Sequence, residues 1–183
     1  MPKFQSPNIL VILNNIRSNE NVGSIFRTCD ATGVSKIILV GYTPAPIDRF
    51  GRENKGLTKA SLGAEKFVQW EKAETLEEII ERWKNGKTEK FKIIGIEQNK
   101  KSINYKKINY YLKSNDYNLA LVFGNEVEGL SKEDLKLCDI VAELPMRGAM
   151  VRQAHHPRNS MRGKESLNVA VAAGVVLYAL ITP

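Results

Sequence analysis

Short, largely apolar runs recur along this chain, and they constrain its fold more than any other feature of the sequence. Each run has about six residues and is bounded by turn residues or by a helix-like pattern. The runs lie within residues 8–13, 36–41, 91–96, 118–124 and 140–145, and a shorter one contains Trp70. Strands that are apolar along their whole length are typical of parallel sheets covered by helices. The sequence therefore predicts an α/β fold with a mostly parallel sheet of five or six strands and helices on both faces.

Three helices are predicted between these strands from their capping residues, and one of them, at residues 75–84, should be capped by Thr75 with Glu78 completing a capping box. The first should begin near Asn21, because asparagine is a good N-cap residue, and it should end near Gly33. A short helix at residues 132–138 should be capped by Ser131. The residues that the first helix should bury are Val22, Ile25, Phe26 and Cys29.

Length and composition predict one domain, residues 1–183, that is large enough to bury a core. No apolar run reaches the ~18 residues expected of a membrane span, and the N-terminus lacks the apolar core of a signal peptide. Cys29 and Cys138 have no CxxC spacing, which favours reduced thiols over a disulfide or a zinc site. His155 and His156 are adjacent, and two neighbouring histidines rarely hold one metal ion. We therefore expect a cytoplasmic protein with no membrane or metal partner.

The charge of the chain favours a polyanionic partner. The net charge is +7 and the pI is about 9.4, which makes nucleic acid the first expectation. Two segments add to it: a Pro-, Gly- and Arg-rich loop at residues 42–60 and a Lys/Tyr-rich stretch at residues 97–117. Basic and aromatic residues together can hold nucleic acid by charge and stacking. The alternative for both segments is a solvated surface, with the tyrosines covering the edge of the sheet.

Three polar clusters follow predicted strands, where open α/β sheets bind their ligands. The signatures GxGxxG, GxxxxGK[ST], HExxH and GxSxG are absent from the sequence. The clusters that remain are Asn21-x-Gly23-x-x-x-Arg27, then Phe123-Gly124-Asn125-Glu126-x-x-Gly129-Leu130-Ser131, and Leu144-Pro145-Met146-x-Gly148 continued by Ser166-Leu167-Asn168-Val169.

In this order, the three clusters resemble the SpoU (TrmH-like) branch of the SPOUT RNA methyltransferases, and the resemblance extends over nearly the whole chain. It implies S-adenosylmethionine-dependent methylation of a ribose 2′-hydroxyl in RNA. It also implies a deep C-terminal trefoil knot and a homodimer with each site near the subunit interface. Only about seven residues precede the first strand, so we expect no separate RNA-binding extension. The dimer surface itself would then bind the RNA. We expect the substrate to be tRNA, with rRNA as the second candidate.

The resemblance marks Arg27 as the catalytic residue. Asn21 and Glu126 would position Arg27 and the substrate, and Ser166 and Asn168 would complete the site at a helix N-terminus. An arginine ordinarily keeps its proton. Arg27 therefore either loses its proton and acts as a base, or stays charged, orients the ribose and stabilises the developing alkoxide. Glu126 has an alternative role as a helix cap or ion-pair partner.

The resemblance also implies a pocket for the cofactor, built from backbone groups and apolar side chains. Two of its members are glycines, which allow the backbone to approach a ligand closely. The implied cofactor-binding residues are Phe123, Gly124, Gly129, Leu144, Met146, Ser166 and Leu167.

The third cluster is interrupted. The tripeptide Met-Arg-Gly occurs at residues 146–148 and again at 161–163, and 17 residues separate Gly148 from Ser166. The family pattern has only a few residues there, so we predict an insertion at residues 149–163. We expect it to extend into solvent, with the knot formed and cofactor binding weakened. Two functions follow: an active methyltransferase, or an RNA-binding protein of the same fold whose activity is impaired by the insertion.

Overall fold

A seven-stranded sheet forms the centre of the fold in the computed structural model, which describes residues 8–85, 90–113, 118–146 and 166–181. The strands are β1 (Ile9–Asn14), β2 (Lys36–Val40), β3 (Gln69–Ala73), β4 (Phe91–Ile96), β5 (Ile103–Asn104), β6 (Asn118–Phe123) and β7 (Ile140–Glu143). Their order in the sheet is β3-β2-β1-β6-β4-β7-β5, and each neighbouring pair is parallel. The predicted parallel α/β architecture is confirmed.

Within the described residues, six α-helices accompany the sheet: α1 (Asn19–Thr32), α2 (Lys55–Ser61), α3 (Leu76–Asn85), α4 (Ile108–Lys113), α5 (Lys132–Leu137) and α6 (Val169–Ile181). Both faces of the sheet are covered. On β1, Val11 belongs to the core cluster shared with α1 and α6, whereas the neighbouring Ile12 belongs to the cluster shared with α3. Successive side chains of a strand point to opposite faces. This double burial explains why the central strands are continuously apolar.

The beginning of α1 differs from the prediction. The helix starts at Asn19, and its N-cap is Ser18, whose Oγ accepts a hydrogen bond from the backbone N–H of Asn21 at 3.1 Å. The prediction of Asn21 as the cap was wrong, because Ser18 already occupies that position in an extended conformation. The amide side chain of Asn21 is therefore available for other contacts. The end at Gly33, in the left-handed region with φ 70°, and the four predicted buried residues are confirmed.

The sequence did not reveal β5. This strand has two residues, which is too short for a periodic signal, and it pairs with β7. In the Lys/Tyr-rich stretch, Tyr105 and Tyr111 pack against the core whereas Tyr110 is exposed. The three tyrosines of this stretch that the structure describes are therefore divided between the core and the solvent.

The sequence also led us to expect no membrane span, no metal site and an insertion at residues 149–163. None of the helices in the described ranges combines the length and the apolar character needed to cross a bilayer. Within the same ranges, no group of three His, Cys, Asp or Glu side chains is arranged to hold a metal ion. The predicted insertion at 149–163, with both histidines, lies outside the described residues. The knot depends on that connection and stays a prediction.

Candidate active site

A pocket of about 160 Å³ lies at the carboxyl ends of β4, β6 and β7, beside the beginning of α6. This is the edge at which ligands bind in open α/β sheets. The residues that line it are Ile96, Glu97, Gln98, Phe123, Gly124, Asn125, Glu126, Val127, Glu128, Gly129, Leu144, Met146, Ser166, Leu167, Val169 and Ala172. All seven of the predicted cofactor-binding residues are among them.

The loop after β6 is held in shape by the buried side chain of Asn125. Its Oδ1 accepts hydrogen bonds from the backbone N–H groups of Val127 and Glu128, at 2.8 and 3.0 Å. Its Nδ2 donates to the carbonyl of Asn15 and to the Tyr42 hydroxyl, both at 2.9 Å. Asn125 thus ties the pocket loop to the ends of β1 and β2.

Two glycines allow this loop to fold back on the sheet. A Cβ on Gly124 would lie 2.6 Å from the carbonyl oxygen of Gly129, which backbone atoms cannot tolerate. Gly129 has φ 69°, and a Cβ there would collide with the carboxylate of Glu97. The same carboxylate accepts a hydrogen bond from the backbone N–H of Leu130 at 2.9 Å. A side chain at either glycine would therefore push the loop away from the pocket wall.

A chain of hydrogen bonds joins the three polar clusters at the rim of the pocket. Glu126 Oε1 accepts from the Asn21 amide at 2.9 Å and from the backbone N–H of Ser18 at 3.1 Å. Its Oε2 accepts from the backbone N–H of Arg17 at 3.0 Å. Asn21 Oδ1 in turn accepts from the amide of Asn168 at 3.0 Å. Asn21 is therefore held on both sides, by residues 105 and 147 positions away in the sequence.

These contacts keep Glu126 ionised. Partial burial by itself raises the pKa of its carboxyl group. Hydrogen bonds from the Arg17 N–H, the Asn21 amide and the Ser18 N–H outweigh that effect, so the pKa lies below its ordinary value. The charged carboxylate also faces the first turn of α1, where the helix dipole favours a negative group.

Asn168 caps α6, as expected of a residue at a helix N-terminus. Its Oδ1 accepts from the backbone N–H groups of Ala170 and Val171, at 2.9 and 3.3 Å. One side-chain amide therefore uses its oxygen to cap α6 and its nitrogen to hold Asn21. Ser166 and Leu167 precede it, exposed along the pocket wall.

Arg27 stands apart from this network. It lies on an exposed face of α1 and makes no hydrogen bond or ion pair with another described residue. It is not among the residues that line the pocket. The structure thus brings together Asn21, Glu126 and Asn168, with Ser166 on the adjacent wall, and does not join Arg27 to them.

Sequence reasoning missed Glu97 and the role of Ser18. Glu97 directly follows β4, so the rule that picked out the residues after β6 applies to it as well. Ser18 lies three residues before Asn21, and an N-cap serine was as plausible there as the asparagine. The sequence did not indicate the residue that Glu97 contacts, because Leu130 lies 33 residues away.

The pocket lining fits a ligand that is partly apolar and positively charged. Ile96, Phe123, Leu144, Met146 and Leu167 supply apolar surface. Glu97, Glu126 and Glu128 supply carboxylates, which attract a cation. S-adenosylmethionine combines an adenosine moiety with a positively charged sulfonium group, so this lining suits it.

A sequence model of the SpoU rRNA Methylase family matches residues 8–152. The match contains Asn21, Arg27 and Glu126 and ends before Ser166. A tRNA (guanosine(18)-2′-O)-methyltransferase of Aquifex aeolicus (strain VF5) is 29% identical, with 93% of this chain and 67% of that protein covered. A 23S rRNA (guanosine-2′-O-)-methyltransferase of Neisseria meningitidis serogroup B is 29% identical, with 97% of this chain and 59% of that protein covered.

Solved structures share the fold. The AdoMet-bound rRNA methyltransferase from Sinorhizobium meliloti superposes with a TM-score of 0.72 at 27% identity, covering 94% of this chain and 55% of that one. The chain therefore spans about half to two thirds of the length of the proteins to which it is similar.

Proposed function

The chain belongs to the SpoU rRNA Methylase family, and from that membership we propose that it is an S-adenosylmethionine-dependent RNA methyltransferase that acts on a ribose 2′-hydroxyl. One observation carries the proposal beyond family membership. Asn21 is hydrogen-bonded to both Glu126 and Asn168, so residues of all three polar clusters meet at the rim of one pocket. Polar residues from distant parts of the chain that meet beside a pocket are typical of a catalytic site.

The cofactor would be held by the pocket walls. Gly124 and Gly129 leave room for a ligand against the loop backbone, and Leu144, Met146 and Leu167 offer apolar contact. Phe123 and Ser166 complete the wall. When bound, S-adenosylmethionine supplies an electrophilic methyl group on a positively charged sulfur. The nearby carboxylates of Glu97 and Glu128 favour that charge.

The RNA would bind at the rim of the pocket where Asn21 lies, and Arg27, six residues further along α1, would contact it from outside the pocket. Arg27 is exposed and carries a cation that has no partner among the described residues, so it is free to meet a phosphate or a ribose oxygen. Of its two possible roles, we favour the charged one, because the arginine side chain ordinarily keeps its proton in proteins. Arg27 would then orient the ribose and stabilise the developing alkoxide, and the hydroxyl proton would leave to water.

The assembly we propose is a cytoplasmic homodimer with tRNA as the first substrate class. The RNA assignment rests on the +7 net charge and on the Aquifex relative, whose name specifies tRNA. The dimer is supported by an apolar stripe on the exposed face of α6, which begins at the pocket.

Methyl transfer from labelled S-adenosylmethionine to unmodified RNA tests the function. Purified protein is incubated separately with tRNA transcripts and with 23S rRNA fragments, and ribose methylation is then mapped. We expect label in tRNA at a 2′-oxygen. Label in rRNA alone would show that the substrate is rRNA rather than tRNA. Methylation of a base would contradict the reaction.

Arg27→Lys keeps a positive charge but loses the planar guanidinium group, so we expect methyl transfer to fall by about 100-fold.

The second candidate function, an RNA-binding protein with impaired activity, is favoured by the 17 residues between Gly148 and Ser166. A variant lacking residues 149–163 separates the two. If the full chain binds RNA but transfers no label, and the deletion variant transfers it, the impaired protein is the correct description. If both transfer label, the chain is an enzyme as it stands.

A further inference from the structure

An exposed aromatic ring on the loop that connects β2 to α2 is in contact with two arginines. Phe50 is 66% exposed, and the Cζ atoms of Arg49 and Arg52 lie 4.8 and 5.0 Å from the centroid of its ring. We call residues 42–54 the Phe50 loop. A phenylalanine this exposed gains little from folding, since its ring remains largely in water. The pocket and the hydrogen-bond network described above do not involve this ring.

The Phe50 loop is internally ordered around Asp48. The carboxylate accepts hydrogen bonds from the backbone N–H groups of Phe50 and Arg52, at 2.8 and 2.9 Å, and forms an ion pair with the Arg52 guanidinium at 2.8 Å. An antiparallel bridge between Ile47 and Glu53 closes the loop. The backbone that carries Phe50 is therefore ordered before a partner binds, which reduces the entropy lost on binding.

Both ends of the Phe50 loop are attached next to the active site. At one end, the Tyr42 hydroxyl accepts a hydrogen bond from Asn125, which lines the pocket. At the other end, the Asn54 amide donates to the side chain of Asn19, the first residue of α1, at 2.7 Å. Phe50 precedes Asn54 by four residues, so the chain geometry keeps their Cα atoms within about 15 Å of each other. The Phe50 loop is therefore anchored at both ends beside the residues that hold the pocket.

We propose that Phe50, with Arg49 and Arg52, stacks on an unpaired base of the RNA substrate beside the target nucleotide. The inference rests on the proposed function, because it takes RNA as the partner. Unpaired bases stack on aromatic rings and on guanidinium planes, and this cluster offers both. Arg49 has no ion-pair partner among the described residues, so its charge is also available to an adjacent phosphate. The cluster favours single-stranded RNA over a duplex, whose bases are already stacked.

The test is RNA binding without cofactor, measured by fluorescence anisotropy with labelled, unmodified tRNA. Phe50→Leu removes the ring and keeps an apolar side chain, and we expect it to weaken binding roughly tenfold with an unchanged dependence on salt. Phe50→Trp should bind at least as tightly as the original chain. Arg49→Gln should lower both the affinity and the salt dependence, because it removes a charge.

Phe67→Leu is the matched control. Phe67 is 78% exposed, and no cation among the described residues lies over its ring. It lies just before β3, at the amino end of the sheet, away from the pocket. We expect this variant to bind RNA as the original chain does. The inference is overturned if Phe50→Leu also binds normally, or if both variants lose affinity equally. It is also overturned if Phe50→Leu changes the sedimentation of the free protein, since the ring would then contact protein.

Methyl transfer is measured in parallel, so that the two proposals can fail separately. Transfer by the original chain together with normal binding by Phe50→Leu would overturn the stacking inference and leave the function standing. RNA binding that depends on Phe50 without any methyl transfer would support the inference and contradict the function. A chain that binds no RNA at all would overturn both.

Discussion

The carboxylate of Glu126 accepts hydrogen bonds from three groups in and just before α1. Two of the donors are the backbone N–H groups of Arg17 and Ser18, so Glu126 holds the beginning of the helix as well as the side chain of Asn21. These contacts fit both the positioning role and the helix-cap role predicted for it, since Glu126 holds Asn21 and also accepts from N–H groups at the beginning of the helix. Its loss should affect stability and activity together.

Glu126→Gln should destabilise the protein by about 1 kcal/mol at neutral pH, a modest value because the carboxylate is partly solvated. The pKa of Glu126 is lowered on folding, so its contribution is complete above the ordinary value of 4.5 and is lost as the pH falls through the lowered pKa of the folded protein. The difference from the original chain should therefore shrink below about pH 4.5. Urea denaturation at several pH values measures it.

Glu81→Gln is a suitable control for that experiment. Its carboxylate is exposed on α3 and accepts no hydrogen bond from another described residue. We expect its free energy of unfolding to match that of the original chain throughout the pH range. A Glu126→Gln deficit that stays constant down to pH 3 would contradict the role given to the ionised carboxylate.

Gly124→Ala should distort the pocket. The new Cβ would meet the backbone of Gly129, which cannot move as a flexible side chain could. We expect a loss of about 1–3 kcal/mol in stability, as for other overpacked sites, together with weaker S-adenosylmethionine binding by calorimetry. Gly174→Ala in α6 is the matched control, because its Cβ would meet nothing within 4 Å. Equal cofactor affinity in the two variants would show that the close approach at Gly124 is not needed.

At the scale of elements, α6 presents a stripe of partly exposed apolar side chains. Val171, Val175, Tyr178 and Ile181 are 51%, 38%, 51% and 40% exposed, and their spacing of three to four residues places them on one face of the helix. Contiguous apolar surface of this kind marks an interaction site. A second copy of the chain is the partner we propose.

Val175→Lys should therefore weaken self-association by roughly 100-fold or more, because it buries an unpaired charge at the interface. Sedimentation velocity over a range of protein concentrations measures the change. Leu62→Lys, at an apolar residue with 71% exposure next to α2, should leave the sedimentation unchanged. If Val175→Lys sediments as the original chain does, this face of α6 is not the dimer interface.

At the scale of the whole molecule, two walls of the pocket come from residues on either side of the long connection between β7 and α6. Met146 and Ser166 both line the pocket, and 19 residues lie between them in the sequence. If the cofactor brings these walls together, it must overcome the closure entropy of that connection. A longer connection then costs cofactor affinity even if the inserted residues stay in solvent.

Removing residues 149–163 shortens the stretch between Gly148 and Ser166 from 17 residues to two. Three doublings of loop length add about 2 kcal/mol to the entropic cost of closing the loop. Because the deletion removes that cost, we expect the deletion variant to bind S-adenosylmethionine at least tenfold more tightly. Calorimetric titration of both proteins measures this. Replacing residues 149–163 with a Gly/Ser linker of the same length is the control, and it should bind as the original chain does. Equal affinity in the original chain and the deletion variant would contradict the effect of the insertion.

Local pattern was enough to predict most of the fold. The double burial of β1, β2 and β6 leaves a continuous apolar run in the sequence, and Ser131 and Gly33 mark helix ends by their own chemistry. The strand β5 was not predicted, because two residues are too few to show a periodic pattern of apolar side chains. The cap of α1 was misassigned because Ser18 and Asn21 are both good caps, and local preference alone does not choose between them.

The sequence by itself determined the parallel α/β architecture, the three polar clusters and the family to which they point, since each depends on residues close together in the chain. Only the tertiary structure decided which of those residues meet. It placed Asn21 between Glu126 and Asn168, set Glu97 under Gly129, and left Arg27 apart from the pocket. The physical reason is that such contacts depend on the order of strands in the sheet, where β1 lies beside β6, more than 100 residues away.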